Sequence, residues 1–170
     1  VIVFEAGDDV GGPWYWNRYP GARCDAESLA YSFSFSSELE QEWEWSERYA
    51  QQSEILEYAR HVSRRFDLRK DIRFKTRVTS AHYQDDSLNW QVETDKGDSV
   101  VASFCVMATG CLSVPLLPDI PGVQNFKGNL YQASKWPHEP VSFKNQRVGI
   151  IGTGSSGIQA IPVIAEEADH

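Results

Sequence analysis

The run Gly152-Thr153-Gly154-Ser155-Ser156-Gly157 carries the most specific chemistry in the chain. Three glycines at this spacing, entered from the apolar run RVGII and left through IQAIPVIAEEA, suit a dinucleotide pyrophosphate. The first glycine permits a tight turn, the second lets backbone N–H groups approach the phosphates, and the third lets helix and strand pack closely. The helix N-terminus then supplies positive potential to the anion. The competing reading is a bare strand-to-helix turn, and Pro162 inside the helical run makes the unit less regular. The residue that separates NAD from NADP falls about 20 positions past such a loop, beyond His170.

Two carboxylates could join such a site. Glu5 ends the apolar run VIVF, where an acidic side chain can accept hydrogen bonds from a ribose diol; it can also be an ordinary strand-end carboxylate. Asp25 closes GGPWYWNRYPGARCD, residues 11–25, and alone reads as a loop or helix-capping aspartate. That segment has neither helical nor strand periodicity, so it is an ordered loop that either caps a core or lines a ligand site. Cys24, Cys105 and Cys111 show no CxxC spacing or disulfide framework, which fits a reducing cytoplasm. His61, His82, His138 and His170 are dispersed without metal-ligand spacing, so no metal site is expected.

Composition narrows the setting. The chain has 170 residues and a formal charge of −8, enough for one ordinary domain or part of a larger one. Without a basic run, a nucleic-acid partner is not expected. No apolar stretch is long enough to cross a bilayer.

Several elements must position these groups. VIVF reads as a parallel strand covered on both faces. SEILEYARHVSRRF, residues 53–66, places Ile55, Ala59, Val62 and Phe66 on one helical face, with Ser53 as N-cap. The upstream WEWSERY supplies aromatics for packing. IRFKTRVTSAHY, LNWQVET and SVVASFCVMATG read as three strands joined through QDDS and DKGD, an antiparallel meander inserted in a parallel-sheet protein. SVPLLPDIPG, residues 113–122, is a Pro-rich extended connector. The fold class is therefore α/β, with two dinucleotide-binding, Rossmann-like domains, each partial here, and the meander as an insertion. Val1 already stands inside a strand, and the last helical run lacks a Gly or Asn cap, so the chain reads as a piece of a longer one. A protein with two such folds commonly passes hydride from a nicotinamide to a flavin.

With these pieces in order, GGPWYWNRYPGARCDAES, the strand end ATG, FKGNLYQASKWP and GTGSSGIQ together resemble the type I Baeyer–Villiger monooxygenases, in the phenylacetone and steroid monooxygenase branch. The resemblance extends over essentially all 170 residues. The family fingerprint FxGxxxHxxxWP is present with Gln132 in place of the His, alongside Phe126, Gly128, Trp136 and Pro137. Trp136-Pro137 favours the ketone-oxidising class over the related flavin monooxygenases that oxidise nitrogen or sulfur. A non-catalytic nucleotide-binding relative is the remaining alternative.

The resemblance implies an FAD enzyme that uses NADPH and O2 to insert oxygen beside a ketone carbonyl through a C4a-peroxyflavin, giving an ester or lactone. It implies that Glu5 holds the adenosine ribose of FAD, that Gly12, Trp14, Cys24, Asp25 and Tyr31 contact the flavin end, and that Val78 meets the adenine. Gly152, Thr153, Gly154, Ser155, Ser156, Gly157, Ile158 and Gln159 would cradle the NADP pyrophosphate, with Arg23 to Asp25 approaching the nicotinamide. Asp25 is the implied catalytic residue, paired with an Arg outside the chain. Residues 1–112 would form the FAD-binding domain without its GxGxxG unit, 113–145 the interdomain linker, and 146–170 the start of the NADP-binding domain. The 170 residues alone are expected to be inactive. Neither the particular ketone nor the oligomeric state is legible.

Overall fold

The structure, a computed structural model, describes residues 1–170. Its elements are β1 (Val3–Phe4), α1 (Pro13–Trp16), α2 (Ser28–Tyr31), α3 (Ser37–Glu42), α4 (Gln52–Arg65), β2 (Ile72–Arg73), β3 (Val78–Gln84), β4 (Asn89–Thr94), β5 (Ser99–Ala102) and α5 (Ser155–Ala165). The architecture is mixed α/β, with one parallel strand pair and one three-stranded antiparallel sheet. The chain packs as two compact units, residues Val1–Val10 with Ala59–Gly110, and Gly11–Tyr58 with Cys111–His170. No helix is long and apolar enough to cross a membrane.

In the first unit β1 lies parallel to β2, pairing Val3 with Ile72 and Phe4 with Arg73. Backbone bonds continue past the strands: Thr76 N–H donates to the Glu5 carbonyl at 2.9 Å and Lys75 N–H to that of Gly7 at 2.7 Å. The expectation of a strand covered on both faces is not met. β1 has one neighbour, itself two residues long, and Val1, Ile2 and Val3 are exposed. The strand read at 72–83 is split for a local reason. Lys75 takes φ +54, which interrupts extended backbone, so 72–73 pairs with β1 and 78–84 with β4.

β3, β4 and β5 pair in chain order. Alternation sets their faces: Val92 and Thr94 are buried while Glu93 between them is exposed. The pairing moves from Val78↔Thr94 to Ser80↔Glu93, so Thr79 is an inserted residue and the strand bulges there. DKGD turns tightly, with Gly97 at φ +82 and the Thr94 hydroxyl oxygen accepting from both Lys96 and Asp98 N–H. β5 ends at Ala102, although the apolar run continues to residue 110. No strand pairs with those residues, and Phe104, Val106 and Met107 stay exposed.

α4 buries Ile55, Leu56, Tyr58 and Val62 on its apolar stripe, each such burial worth about 1.5–3 kcal/mol for a large aliphatic side chain. Ser53 is not its N-cap. The helix already begins at Gln52, because an Arg23–Gln51 bridge and the Gln52 N–H to Ala22 carbonyl bond fix the backbone one residue earlier. Glu54, in the first turn, accepts both the Ser46 N–H and its hydroxyl. Trp43 and Trp45 of WEWSERY pack against Tyr58, with ring centroids 5.3 and 5.0 Å away.

The second unit has two apolar clusters. Cys24, Ala50 and Ile55 form one, covered by Trp14 and Trp45; Phe143, Ala160 and Ile164 form the other, covered by Tyr19, Trp136 and Val148 among others. The strand expected at RVGII is absent. No strand lies beside it to complete a ladder, only Val148 N–H finds a backbone partner in the His170 carbonyl, and Ile151 is 84% exposed.

Candidate functional site

Residues 11–25 form an ordered loop whose shape depends on backbone freedom. At Gly11, with φ +124, a Cβ would lie 2.5 Å from Leu56 Cδ1. Gly12 has open space around it, but φ 51 and ψ −121 place it where an L side chain is strained. Pro13 then opens α1 at a position where its missing N–H costs nothing. The Trp14 indole N–H donates to the Tyr31 hydroxyl at 2.9 Å, and the two rings meet edge to face at 5.6 Å. Gln52 Nε2 donates to the Trp14 carbonyl, tying α1 to α4.

The end of the loop is held like a strand edge. Cys24 N–H donates to the Ala50 carbonyl at 3.0 Å, and Arg23 pairs with Glu47 at 3.3 Å. Cys24 is 3% exposed, and its thiol donates to the Ala26 carbonyl at 3.0 Å, so it fills space rather than presenting a nucleophile. Asp25 is exposed.

Across from this loop the glycine-rich turn leads into α5. Gly152 takes φ +117. A Cβ on Gly157 would stand 2.6 Å from the Gly152 carbonyl oxygen, whereas one on Gly154 would meet nothing within 4 Å. The third glycine therefore permits close packing and the second leaves the backbone open to a ligand. No side chain caps the α5 N-terminus, where Gly154 is the N-cap, so its first N–H groups remain available to an anion. Pro162 lies inside α5 without ending it.

The two segments meet around one open groove of about 550 Å³, lined by Arg23, Cys24 and Asp25 on one side and Thr153, Ser155, Ile158 and Gln159 on the other. Gln159 bridges them. Its Oε1 accepts from the Tyr19 hydroxyl and Arg23 N–H, and its Nε2 donates to Asp25 Oδ1. Tyr19 and Glu47 are participants that sequence reasoning missed. Tyr19 lies within the aromatic loop already singled out, but its partner stands 140 residues away; Glu47 had no local signal.

The remaining candidates are distributed as follows. Glu5 and Val78 belong to the first unit, where Glu5 Oε1 accepts the Gly7 N–H at 2.6 Å and Val78 begins the bulged strand. In the fingerprint segment Trp136 packs with Tyr131 and Phe143 at 5.3 and 6.1 Å. Phe126 is 61% exposed, and its ring covers Gly128, where a Cβ would stand 2.8 Å from the ring. Gly128 thus makes room for a ring rather than a left-handed turn. Gln132 donates from Nε2 to the Leu116 carbonyl at 2.8 Å, joining the fingerprint to the Pro-rich connector, while its Oε1 is buried without a partner.

This combination of an aromatic loop and a glycine-rich helix start has a counterpart among known proteins. Residues 1–170 match the family model described as flavin-binding monooxygenase-like, and the chain belongs to that family. Among individual relatives, it is 45% identical over 170 residues to cyclohexanone 1,2-monooxygenase of Acinetobacter sp, covering 100% of this chain and 31% of the relative. An oxidized steroid monooxygenase bound to NADP shares 60% identity with a TM-score of 0.92, covering 99% of this chain and 32% of that one. A structure of OTEMO in complex with FAD and NADP shares 45% identity with a TM-score of 0.92, covering 100% and 33%. The chain spans about a third of the length of the relatives it matches.

Proposed function

We propose that these residues belong to an NADPH-dependent FAD monooxygenase of the Baeyer–Villiger type, which inserts one oxygen atom of O2 beside a ketone carbonyl to give an ester or lactone. The observation that carries this reading is the shared groove, in which the Arg23–Asp25 loop and the start of α5 face one another. The residues fit the implied cofactors. The open backbone at Gly154, the close Gly152–Gly157 packing and the uncapped helix start suit a pyrophosphate, and unhindered Gly12 beside the Trp14–Tyr31 pair suits a flat flavin edge. FAD, when bound, supplies the redox chemistry with NADPH and O2.

The chain's own residues bind and orient. Glu5 would hold the adenosine ribose and Val78 the adenine through its backbone. Gly12, Trp14, Cys24, Asp25 and Tyr31 would border the flavin, and Gly152 through Ile158 would bind the NADP pyrophosphate. Asp25 would fix a neighbouring Arg supplied by the rest of the protein, so that positive charge faces the developing oxyanion. In this reading residues 1–112 serve the FAD side and 146–170 the NADP side as Rossmann-like parts, with 113–145 linking them. Free thiols at Cys24, Cys105 and Cys111 support a cytoplasmic setting.

The test is product analysis with the full-length protein, NADPH, air and a cyclic or aryl ketone. Ester or lactone formed in step with NADPH consumption supports the reading. Consumption without ester, with oxidation of amines or sulfides only, assigns the protein to the nitrogen- and sulfur-oxidising group. A purified protein that carries no yellow chromophore and cannot be reconstituted with FAD is a non-catalytic relative.

A further inference from the structure

The amide of Gln159 is fully used inside the protein. Oε1 accepts from the Tyr19 hydroxyl at 2.9 Å and the Arg23 N–H at 3.2 Å. Nε2 donates to the Arg23 carbonyl at 3.1 Å and to Asp25 Oδ1 at 2.9 Å. A primary amide offers two donors and two acceptor lone pairs, so no capacity remains for a phosphate. Its orientation follows from its partners. A backbone N–H only donates and a carboxylate only accepts, so the oxygen must face Arg23 N–H and the nitrogen must face Asp25.

The loop is also pressed onto the helix. Gly21 has φ +73, and a Cβ there would overlap the Gln159 carbonyl oxygen and approach Val163 Cγ2 to 3.0 Å. Tyr19, which donates to the amide, packs on the Phe143, Ala160 and Ile164 cluster as well. Loop 19–25 therefore rests on α5 through both hydrogen bonds and backbone contact. Asp25 itself is exposed, and an exposed aspartate with no fixed partner would sample several rotamers.

We propose that Gln159 is a positioning residue for Asp25. It fixes one carboxylate oxygen of a side chain that lines the groove, and it makes the carboxylate loop move with the helix that begins at the glycine-rich turn. A nicotinamide dinucleotide held by that turn is thereby registered against Asp25. This inference rests on the reading of Asp25 as the site's carboxylate.

Two variants of the full-length holoprotein test it. Gln159→Met keeps the side-chain volume and loses all four bonds. Gln159→Glu keeps the acceptor side but sets a second carboxyl against Asp25, and two such groups cannot both ionise cheaply. Its folded-state pKa is therefore raised, so stabilisation is complete below the unfolded value of about 4.3 and is lost as pH rises through the folded value. Gln159→Met is expected to lower the ester formed per NADPH consumed by up to about a hundredfold, the scale of a ~1 Å misplacement of a catalytic group. Gln159→Glu is expected to recover yield as pH falls, and its melting temperature should drop away from wild type as pH rises. Wild-type coupling in both variants at every pH, or a melting profile of Gln159→Glu parallel to wild type, overturns the proposal. A wild-type protein that forms no ester contradicts the functional reading instead, and the pH-dependent melting then still decides the clamp.

Discussion

Gln159 Nε2 lies 2.9 Å from Asp25 Oδ1, although 134 residues of chain separate them. The bond joins the first turns of α5 to the end of the aromatic loop, the two segments richest in chemical signal. A nearby polar partner at this place does more than add about 1.5–3 kcal/mol of charge-assisted hydrogen bonding, discounted here because Asp25 is exposed. It determines which way the carboxylate points.

Gly21→Ala should separate the same two segments without altering a polar group. The substitution puts a side chain at φ +73 and into the Gln159 carbonyl, so both backbone strain and overlap oppose it. The expected loss of stability is about 2–4 kcal/mol, read by urea unfolding of the full-length protein. Weaker NADP+ binding should accompany it; unchanged stability would mean that the loop does not rest on α5.

We propose that Gln132 serves as a strut. Its Nε2 to Leu116 carbonyl bond needs a donor, which either a His or a Gln provides, whereas only a His titrates near neutral pH. Gln132→His should change the turnover of the full-length protein by no more than about threefold, since a donor is retained. Gln132→Leu should cost about 1 kcal/mol of stability from the lost hydrogen bond. Appearance of turnover in Gln132→His from an inactive wild type would make this position chemical rather than mechanical.

Asp9 is held by two guanidinium groups, Arg60 Nε at 2.7 Å and Arg69 Nη1 at 2.6 Å. Burial pushes its carboxyl up, but the hydrogen bonds from Arg69 and Arg60 and the Val10 N–H together outweigh burial, and the net shift is downward. A depressed folded-state pKa means the stabilisation is complete above the unfolded value of about 3.9 and is lost as pH falls through the folded value. Asp9→Asn should therefore destabilise the protein by about 1–2 kcal/mol at pH 7, with the gap to wild type closing in strong acid. Equal stability of the two proteins at pH 7 would show the pairs to be idle.

Elements with a strong local period were legible in the sequence. The stripe of Ile55, Val62 and their neighbours marked α4 to within a residue, and alternation around Trp90 and Val92 marked β4. The failures share one physical cause, that a strand needs a neighbour as well as a composition. VIVF, the run after Ala102 and RVGII are all apolar, yet VIVF finds only the two-residue β2 on one side and the other two find no strand at all. The site was legible in part. GTGSSG and the aromatic loop announced themselves by residue type, but nothing local told that Gln159 spends its amide on Tyr19, Arg23 and Asp25, because such bonds depend on how distant segments meet. Likewise no local signal shows that the Phe126 ring lies on Gly128.

If these residues serve oxygen insertion beside a ketone, the inserted atom must come from O2. Incubating the full-length protein with NADPH, cyclohexanone and 18O2 tests it most directly, with the product read by mass spectrometry. A lactone carrying one 18O atom, formed in proportion to the NADPH consumed, is the expected product. NADPH oxidation that yields only labelled hydrogen peroxide, with cyclohexanone and a panel of aryl and aliphatic ketones all recovered unchanged, would contradict it.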